Sequence, residues 1–355
     1  MSHPLLRGLA LFALLVAPFP APLAPAAGQT AAGPARRPSS PTALHEIVAV
    51  IDGDTLHVRR AGRIEKLRLL SVDTEEKISA NPDLSASKPE TVFGEQTKLW
   101  AERFFADLAA GGAPARIGLL FPAGREERDA YGRLLCHALL PDGTDYNLLL
   151  VREGWSPYFT KYGYSEIAHA DFAAAQAAAQ REKRGIWDPR TNRPATPGAP
   201  AAARPYARLL PWWDARAQAV AEFRARRTAD PARAIDAEDS GALAAGVELC
   251  RRAPGEEVEV FGTIERFFTE KNGDWTVLFA SPAPDGALRV RVPREARAGL
   301  AALDLPATTA EFRQNYLWVR GSLARERRGF VLEAPDPAQW RIASPAVAES
   351  AASAR

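Results

Sequence analysis

Ile47-Val48-Ala49-Val50-Ile51-Asp52-Gly53-Asp54-Thr55-Leu56-His57-Val58 decides the fold, together with the apolar segment 64–72 that comes after the Ala61-Gly62 turn and ends in Asp73-Thr74-Glu75-Glu76. The β-branched run and the alternation of Leu56 and Val58 with polar neighbours read as two strands, and 64–72 as a third. Beyond them, residues 94–110 switch to helical spacing, with Trp100, Phe104, Phe105 and Leu108 on one face. Short strands return at 115–121 and 134–140, the latter ending at Pro141-Asp142-Gly143. A helix is expected over 146–153 and a long Ala-rich one over 165–183. Strands first and helices to one side predict a mainly β fold with α: a small β-barrel with packed helices.

The acidic residues belong to the strand ends. Asp-Gly-Asp alone is an ordinary turn. Strands joined by a short turn lie side by side, however, which lets Asp54 and Asp73 converge at one end of the sheet. Converging carboxylates repel unless a cation or a shared proton neutralises them. Hard oxygen ligands of this kind, with a backbone carbonyl from Thr74, suit calcium or magnesium rather than zinc. Arg68 occupies a strand position that would ordinarily be apolar, so its guanidinium needs a carboxylate or a phosphate. Arg133 closes the polar turn Arg128-Asp129-Ala130-Tyr131-Gly132-Arg133. Two planar, permanently charged forks and one cation spread the charge of a five-coordinate phosphorane. The bland alternative for Arg68 is a salt bridge inside the barrel.

The run 50–76, the Tyr131-Gly132-Arg133 turn and the ending Glu182-Lys183-Arg184-Gly185-Ile186-Trp187 resemble the staphylococcal nuclease (thermonuclease) family over residues 45–189. The resemblance implies an OB-type five-stranded barrel with three helices and a calcium-dependent phosphodiesterase acting on DNA and RNA, typically leaving the phosphate on the 3′ side. It implies that Asp54, Asp73 and the Thr74 carbonyl hold calcium, with Asp52 in the outer shell. It implies Glu76 as the general base or orienter of water, Arg68 and Arg133 on the scissile phosphate, and Tyr131 and Tyr162 beside the nucleotide. The chain departs from the pattern at Glu75, where the family usually has Pro, which leaves Glu75 and Glu76 as rival bases; spacing favours Glu76. The loop 77–92 is of unusual sequence, and Gln176 stands where many members carry a Glu that supports loop packing.

This block occupies less than half of a 355-residue chain. Residues 1–27 have Arg7, an apolar core at 9–16 and the small-x-small pattern Ala24-Pro25-Ala26, which predicts an export signal and a periplasmic or secreted protein. A flexible leader is expected at 28–43, the catalytic domain at 44–190, a Pro/Ala-rich linker at 191–205 and a loose tail at 346–355. No later segment is apolar for long enough to span a membrane, and no obligate protein partner is inferred. A net charge of +2 neither demands nor excludes a polyanion. Cys136 and Cys250 are able to bridge in an oxidising compartment, but each lies among apolar residues and reads better as a small buried hydrophobe. His57, His137 and His169 do not pair at ligand spacing and read as structural.

In the second block, 206–253 reads as helical, with Trp212, Trp213, Val220 and Phe223 on one face. Segments 257–268, 275–280, 288–292, 316–323 and 330–333 read as five strands of a second, OB-like barrel, with a helical piece at 295–303. Arg266, Phe268, Trp275, Arg289, Arg291 and Arg320 supply the basic-aromatic mixture of a single-strand groove, favouring an accessory nucleic-acid-binding module over a purely structural one. The whole chain is open to three readings. They are an active calcium-dependent nuclease, a catalytically inactive nucleic-acid-binding protein of the same fold, and a structural protein whose charges bridge one another.

Overall fold

The computed structural model describes residues 41–78, 87–109, 111–192, 203–253, 255–282, 286–310, 312 and 314–343. The expected export signal and tail, most of the leader and linker, and part of the 77–92 loop lie outside them.

The first block contains β1 (His45–Val50), β2 (Thr55–Arg60), β3 (Arg63–Leu69), α1 (Val92–Leu108), β4 (Arg116–Leu120), β5 (Glu127–Arg128), β6 (Leu134–Leu139), α2 (Tyr146–Arg152) and α3 (His169–Arg181). The sheet order is β3-β2-β1-β4-β6-β5, and a parallel pairing of β3 with β6 closes β1, β2, β3, β6 and β4 into a barrel. This is the expected five-stranded barrel with three helices, β5 being a short appendage. Leu56, Val58, Leu67, Leu69, Ile117, Leu134, Cys136 and Ala138 fill its interior, and Phe105, Tyr146, Leu150 and Phe172 bring in the three helices. Their burial removes the alternating apolar positions from water, the main favourable contribution to folding.

Two boundaries differ from expectation for local reasons. The third strand stops at Leu69 because Ser71 takes a left-handed φ of 64°, turning the chain so that Val72 bridges Tyr158. The Ala-rich helix begins at His169, because the Ser165 hydroxyl accepts the N–H groups of Ile167 and Ala168 in a turn of its own.

The second block contains α4 (Tyr206–Ala229), β7 (Ala234–Asp236), α5 (Ser240–Arg252), β8 (Val258–Gly262), β9 (Ile264–Thr269), β10 (Trp275–Phe279), β11 (Leu288–Val292), α6 (Arg297–Leu300), β12 (Leu317–Gly321), β13 (Leu323–Glu326), β14 (Gly329–Glu333) and β15 (Trp340–Ile342). Its sheets run β13-β14-β11-β10-β9 and β15-β12-β8-β7. Two expected strands each break once, at Thr263 and at Ser322, so that β8–β9 and β12–β13 pass from one sheet to the other. Taking each pair as one bent strand, the circuit is the same as in the first block, with the parallel pairing now between β11 and β14. Val258, Val260, Val277, Phe279, Val290, Val292, Val319 and Phe330 fill this core.

The blocks meet through α4. Leu209, Trp212 and Trp213 form a cluster with Phe312 against which Phe159 and Tyr206 pack. The Trp213 and Phe159 rings meet edge-on at 4.8 Å. Both cysteines are free and buried, Cys136 in the first core and Cys250 in the second, and burial pushes the Cys136 thiol up to about 12. No helix among the described residues is long and apolar enough to cross a membrane.

Candidate active site

The site is built at the end of the barrel where β2 begins and β3 ends. The Asp52 carboxylate accepts the N–H of Asp54 at 3.0 Å, closing a tight turn. A Cβ on Gly53 would lie 2.6 Å from Cγ2 of Thr74 and 2.7 Å from Cγ2 of Thr97, so only glycine allows this turn to nest against the strand-3 end. Antiparallel pairing puts Thr55 opposite Arg68, which brings Asp54 to the guanidinium.

Arg68 joins both carboxylates. Its Nη1 lies 2.7 Å from Asp54 Oδ1 and its Nη2 2.6 Å from Asp73 Oδ1. Nη1 also donates to the carbonyls of Leu69 and Val72 at 3.2 and 3.1 Å. Asp54 Oδ2 accepts the N–H and hydroxyl of Thr74 at 2.7 and 3.1 Å. Ser156 Oγ accepts the N–H of Asp73 at 2.8 Å. Asp54, Arg68, Asp73 and Thr74 are therefore one hydrogen-bonded cluster.

The two glutamates separate cleanly. Glu75 is buried and accepts from Thr91 Oγ1, from Asn192 Nδ2 at 2.9 Å and from Tyr206 Oη at 3.0 Å. Thr91 is also the N-cap of α1, accepting the N–H of Gly94 at 3.0 Å, so Glu75 ties the site to that helix and to the start of α4. Glu76 is half-buried, and its Oε1 lies 3.0 Å from Lys88 Nζ. Of the pair, only Glu76 has a carboxylate open to a reacting molecule.

Two cations in the site have no counterpart among the residues that the sequence pattern singles out. Lys88 reaches Asp73 Oδ1 at 2.9 Å as well as Glu76. Arg204 pairs with Asp73 Oδ2 and donates to the Asp73 carbonyl at 2.9 Å. Neither is accessible to local pattern: Lys88 lies within the loop 77–92 of unusual sequence, and Arg204 lies in the stretch expected to be a linker. Asp73 is fully buried. Burial alone would raise it, but the charges of Arg204, Lys88 and Arg68 hold its carboxyl well below the usual range. Asp52 goes the other way, pushed up to about 7 by burial and by Asp54.

Arg133, Tyr131 and Tyr162 are placed differently. Arg133 Nε is tied to Asp129 Oδ2 at 2.7 Å, and its guanidinium lies 5.5 Å from the Tyr131 ring centroid. No contact among the described residues joins it to the carboxylate cluster. Tyr131 is 83% exposed and Tyr162 64% exposed, the latter on the chain turn that also carries Phe159 and Lys161. Two of the histidines are tied into the structure: His137 Nδ1 meets Asp145 at 2.8 Å, and His169 Nδ1 meets the Tyr158 hydroxyl at 2.9 Å. Gln176 supports loop packing by accepting the N–H of Tyr158 at 2.8 Å.

The calcium implied by the resemblance does not fit the cluster in this arrangement. Every carboxylate oxygen of Asp54 and Asp73 already accepts from a cation or from an N–H or O–H group. Among the described residues no group of three or more His, Cys, Asp or Glu side chains is placed to hold an ion.

Comparison with known proteins gives a family for this region. Residues 66–189 match the family described as Staphylococcal nuclease homologue. Endonuclease YhcR of Bacillus subtilis is 30% identical over 158 residues, 43% of this chain and 12% of that protein. An uncharacterized endonuclease of Escherichia coli is 26% identical over 141 residues, covering 40% of this chain and 74% of its own length. The thermonuclease of Staphylococcus hyicus is 28% identical over 146 residues, 40% of this chain and 75% of that protein. The chain thus spans only a small part of the Bacillus protein and about three quarters of the other two.

Proposed function

We propose, from a chain whose residues 66–189 form a staphylococcal nuclease domain, that it is a hydrolase of the phosphodiester bonds of DNA or RNA. The observation that carries this reading is the Asp54–Arg68–Asp73 cluster at the barrel end, with the open carboxylate of Glu76 beside it.

Hydrolysis adds water across a P–O bond, so the site must orient a water, hold the phosphate and offset growing negative charge. Glu76 is the group for the water: its carboxylate receives or directs the proton as the oxygen attacks phosphorus. Lys88, 3.0 Å from it, fixes that carboxylate and places an ammonium where phosphate oxygens would gather. Arg68, held by both aspartates, contributes its positive charge beside them. Arg133 and Tyr131, on their exposed turn, offer a guanidinium to the phosphate and a ring to the base. Tyr162 offers a second exposed ring.

Calcium is the cofactor this reading carries with it, and it reaches Asp54 and Asp73 only in competition with the cations already on them. Export to the periplasm or beyond is part of the same reading, supported by Arg7 and the apolar core 9–16.

The second barrel is proposed as an accessory nucleic-acid-binding surface. Register places Arg266 and Arg289 on either side of Leu278, and Phe268 and Arg291 on either side of Thr276, so all four share one sheet face. Phe268 is 42% exposed there. Arg291 is partly taken up by Glu326, at 2.8 Å, and Arg320 by Glu257, at 3.2 Å; Trp275 is covered by Arg297. Arg266, which has a longer 3.7 Å contact to Glu265, forms the core of the surface with Phe268 and Arg289.

One observation favours the inactive alternative: the site's carboxylates and Arg68 satisfy one another, as in a structural salt-bridge network. Digestion decides between them. The full chain is incubated with single- and double-stranded DNA and RNA, with a series of calcium concentrations and with EDTA. Cleavage that rises with calcium and stops in EDTA is expected; binding without cleavage would support the inactive reading.

A further inference from the structure

Arg204 is a charged group that the proposed reaction does not use. It lies two residues before α4 and is 5% exposed. Each arm of its guanidinium is committed. Nε donates to the Ser87 carbonyl at 2.9 Å, Nη1 to the Asp73 carbonyl at 2.9 Å, and Nη2 pairs with Asp73 Oδ2. Its flat face lies over Trp213 at 5.2 Å and Tyr206 at 5.7 Å. A guanidinium is buried stably only when paired and bonded in this way.

The consequence concerns charge at Asp73. Arg68 and Lys88 take Oδ1, at 2.6 and 2.9 Å, and Arg204 takes Oδ2. By holding the Ser87 carbonyl, Arg204 also fixes the residue next to Lys88. A divalent ion brought to Asp73 would face these positive charges where little water screens them, and repulsion there is strong.

We propose that Arg204 is a built-in counter-cation of Asp73, so that the native chain binds calcium weakly and gains a tighter calcium site when Arg204 is neutralised. The inference rests on the reading of this cluster as the nuclease site, but its test reads metal binding rather than cleavage. Arg204 is a positioning residue: it touches Asp73 and the Lys88 loop, not the substrate.

The experiment titrates the full chain with calcium by calorimetry, and with terbium by luminescence, for wild type, Arg204→Met, Arg204→Lys and Arg204→Met combined with Asp73→Asn. Methionine keeps an apolar stem against Trp213 and Tyr206 while removing the charge. Competing cations are reciprocally coupled, so Arg204→Met should bind calcium about tenfold more tightly or better than wild type. Arg204→Lys should stay weak, and Asp73→Asn should cancel the gain. Equal affinities of wild type and Arg204→Met would overturn the proposal, as would tight binding by wild type. Should Arg204→Met fail to fold, the melting temperature of wild type decides. Calcium that binds the native chain tightly would raise it and contradict the proposal, and an unchanged value supports it. Loss of the nuclease reading would show as absent hydrolysis and leave the affinity comparison standing. Equal affinities would remove the role of Arg204 and leave hydrolysis standing.

Discussion

The two barrels have the same circuit of strands and differ in what the end of the third strand sets against the start of the second. In the first, Arg68 pairs in register with Thr55, the first residue of β2. In the second, Val292 pairs with Trp275, the first residue of β10, and is fully buried. The preceding turns match closely: Asp54 donates its N–H to the Asp52 carboxylate, and Asp274 donates its own to the Asn272 side chain, each at 3.0 Å. Asp54 then accepts the N–H of Thr74, and Asp274 accepts that of Arg294 at 2.9 Å. The third strand leads into Asp73-Thr74-Glu75-Glu76 in the first barrel and into Pro293-Arg294-Glu295-Ala296 in the second. The shared frame therefore positions a strand-end aspartate without supplying chemistry; the guanidinium that bridges Asp54 and Asp73, and the second carboxylate itself, distinguish the first barrel.

The contrast is broken most severely at Arg68. Arg68→Ala leaves Asp54 and Asp73 short of a shared cation, and removing one partner of such a buried network costs about 3–5 kcal/mol. Loss of the charge should also lower hydrolysis by about a hundredfold or more, read on the folded fraction by digestion and melting together. Phe279→Ala, in the second core, should cost a similar ~3–5 kcal/mol in melting while leaving the rate of the folded molecules unchanged.

Glu75→Gln should come next. It weakens the acceptor shared by Thr91, Asn192 and Tyr206, with an expected loss of about 1–3 kcal/mol in chemical denaturation and a smaller effect on rate than on stability. Gly53→Ala should cost about 1–3 kcal/mol by pushing Thr74 and Thr97 apart, with a fall in rate because Thr74 is bonded to Asp54.

The smallest effects belong to the turn and the exposed face of the second barrel. Asp54→Asn should lower hydrolysis, whereas Asp274→Asn, which keeps an oxygen for the Arg294 N–H, should change stability by less than about 1 kcal/mol and leave the rate alone. Paired Arg266→Ser and Arg289→Ser should weaken binding of single-stranded DNA severalfold in fluorescence anisotropy and flatten its salt dependence, since each lost phosphate contact lowers the slope by about one. Unchanged slope would remove the accessory role from that face.

Much of the first barrel is legible in the sequence because its decisive contacts are local. A short hairpin brings β2 against β3, so Asp54 and Arg68 are neighbours by register alone, and Asp73 comes within a few residues. Lys88 and Arg204 are not legible, since they reach Asp73 through tertiary packing that no strand or helix period encodes. Arg204 reads as linker because its neighbours are Pro and Ala, and that composition does not reveal a buried side chain. Glu75 and Glu76 are ranked by spacing alone until Thr91, Asn192 and Tyr206 are seen around the former. The repeat of the barrel is hidden for another reason: its two copies share pairing order, while their third strands carry different residues and two strands of the second copy are broken at Thr263 and Ser322.

The central claim is that the first barrel's cluster hydrolyses nucleic acid with Glu76 directing water. Its most direct test is digestion of labelled single-stranded DNA by the full chain and by Glu76→Gln, with melting measured on both. Glu76 is half-buried and its carboxylate is bonded to Lys88 alone among its described partners, so the melting temperature should hardly move. The cleavage rate should fall by about a hundredfold or more, as expected for loss of a general base. Cleavage undiminished in Glu76→Gln, or none by wild type under any calcium concentration, would contradict the account.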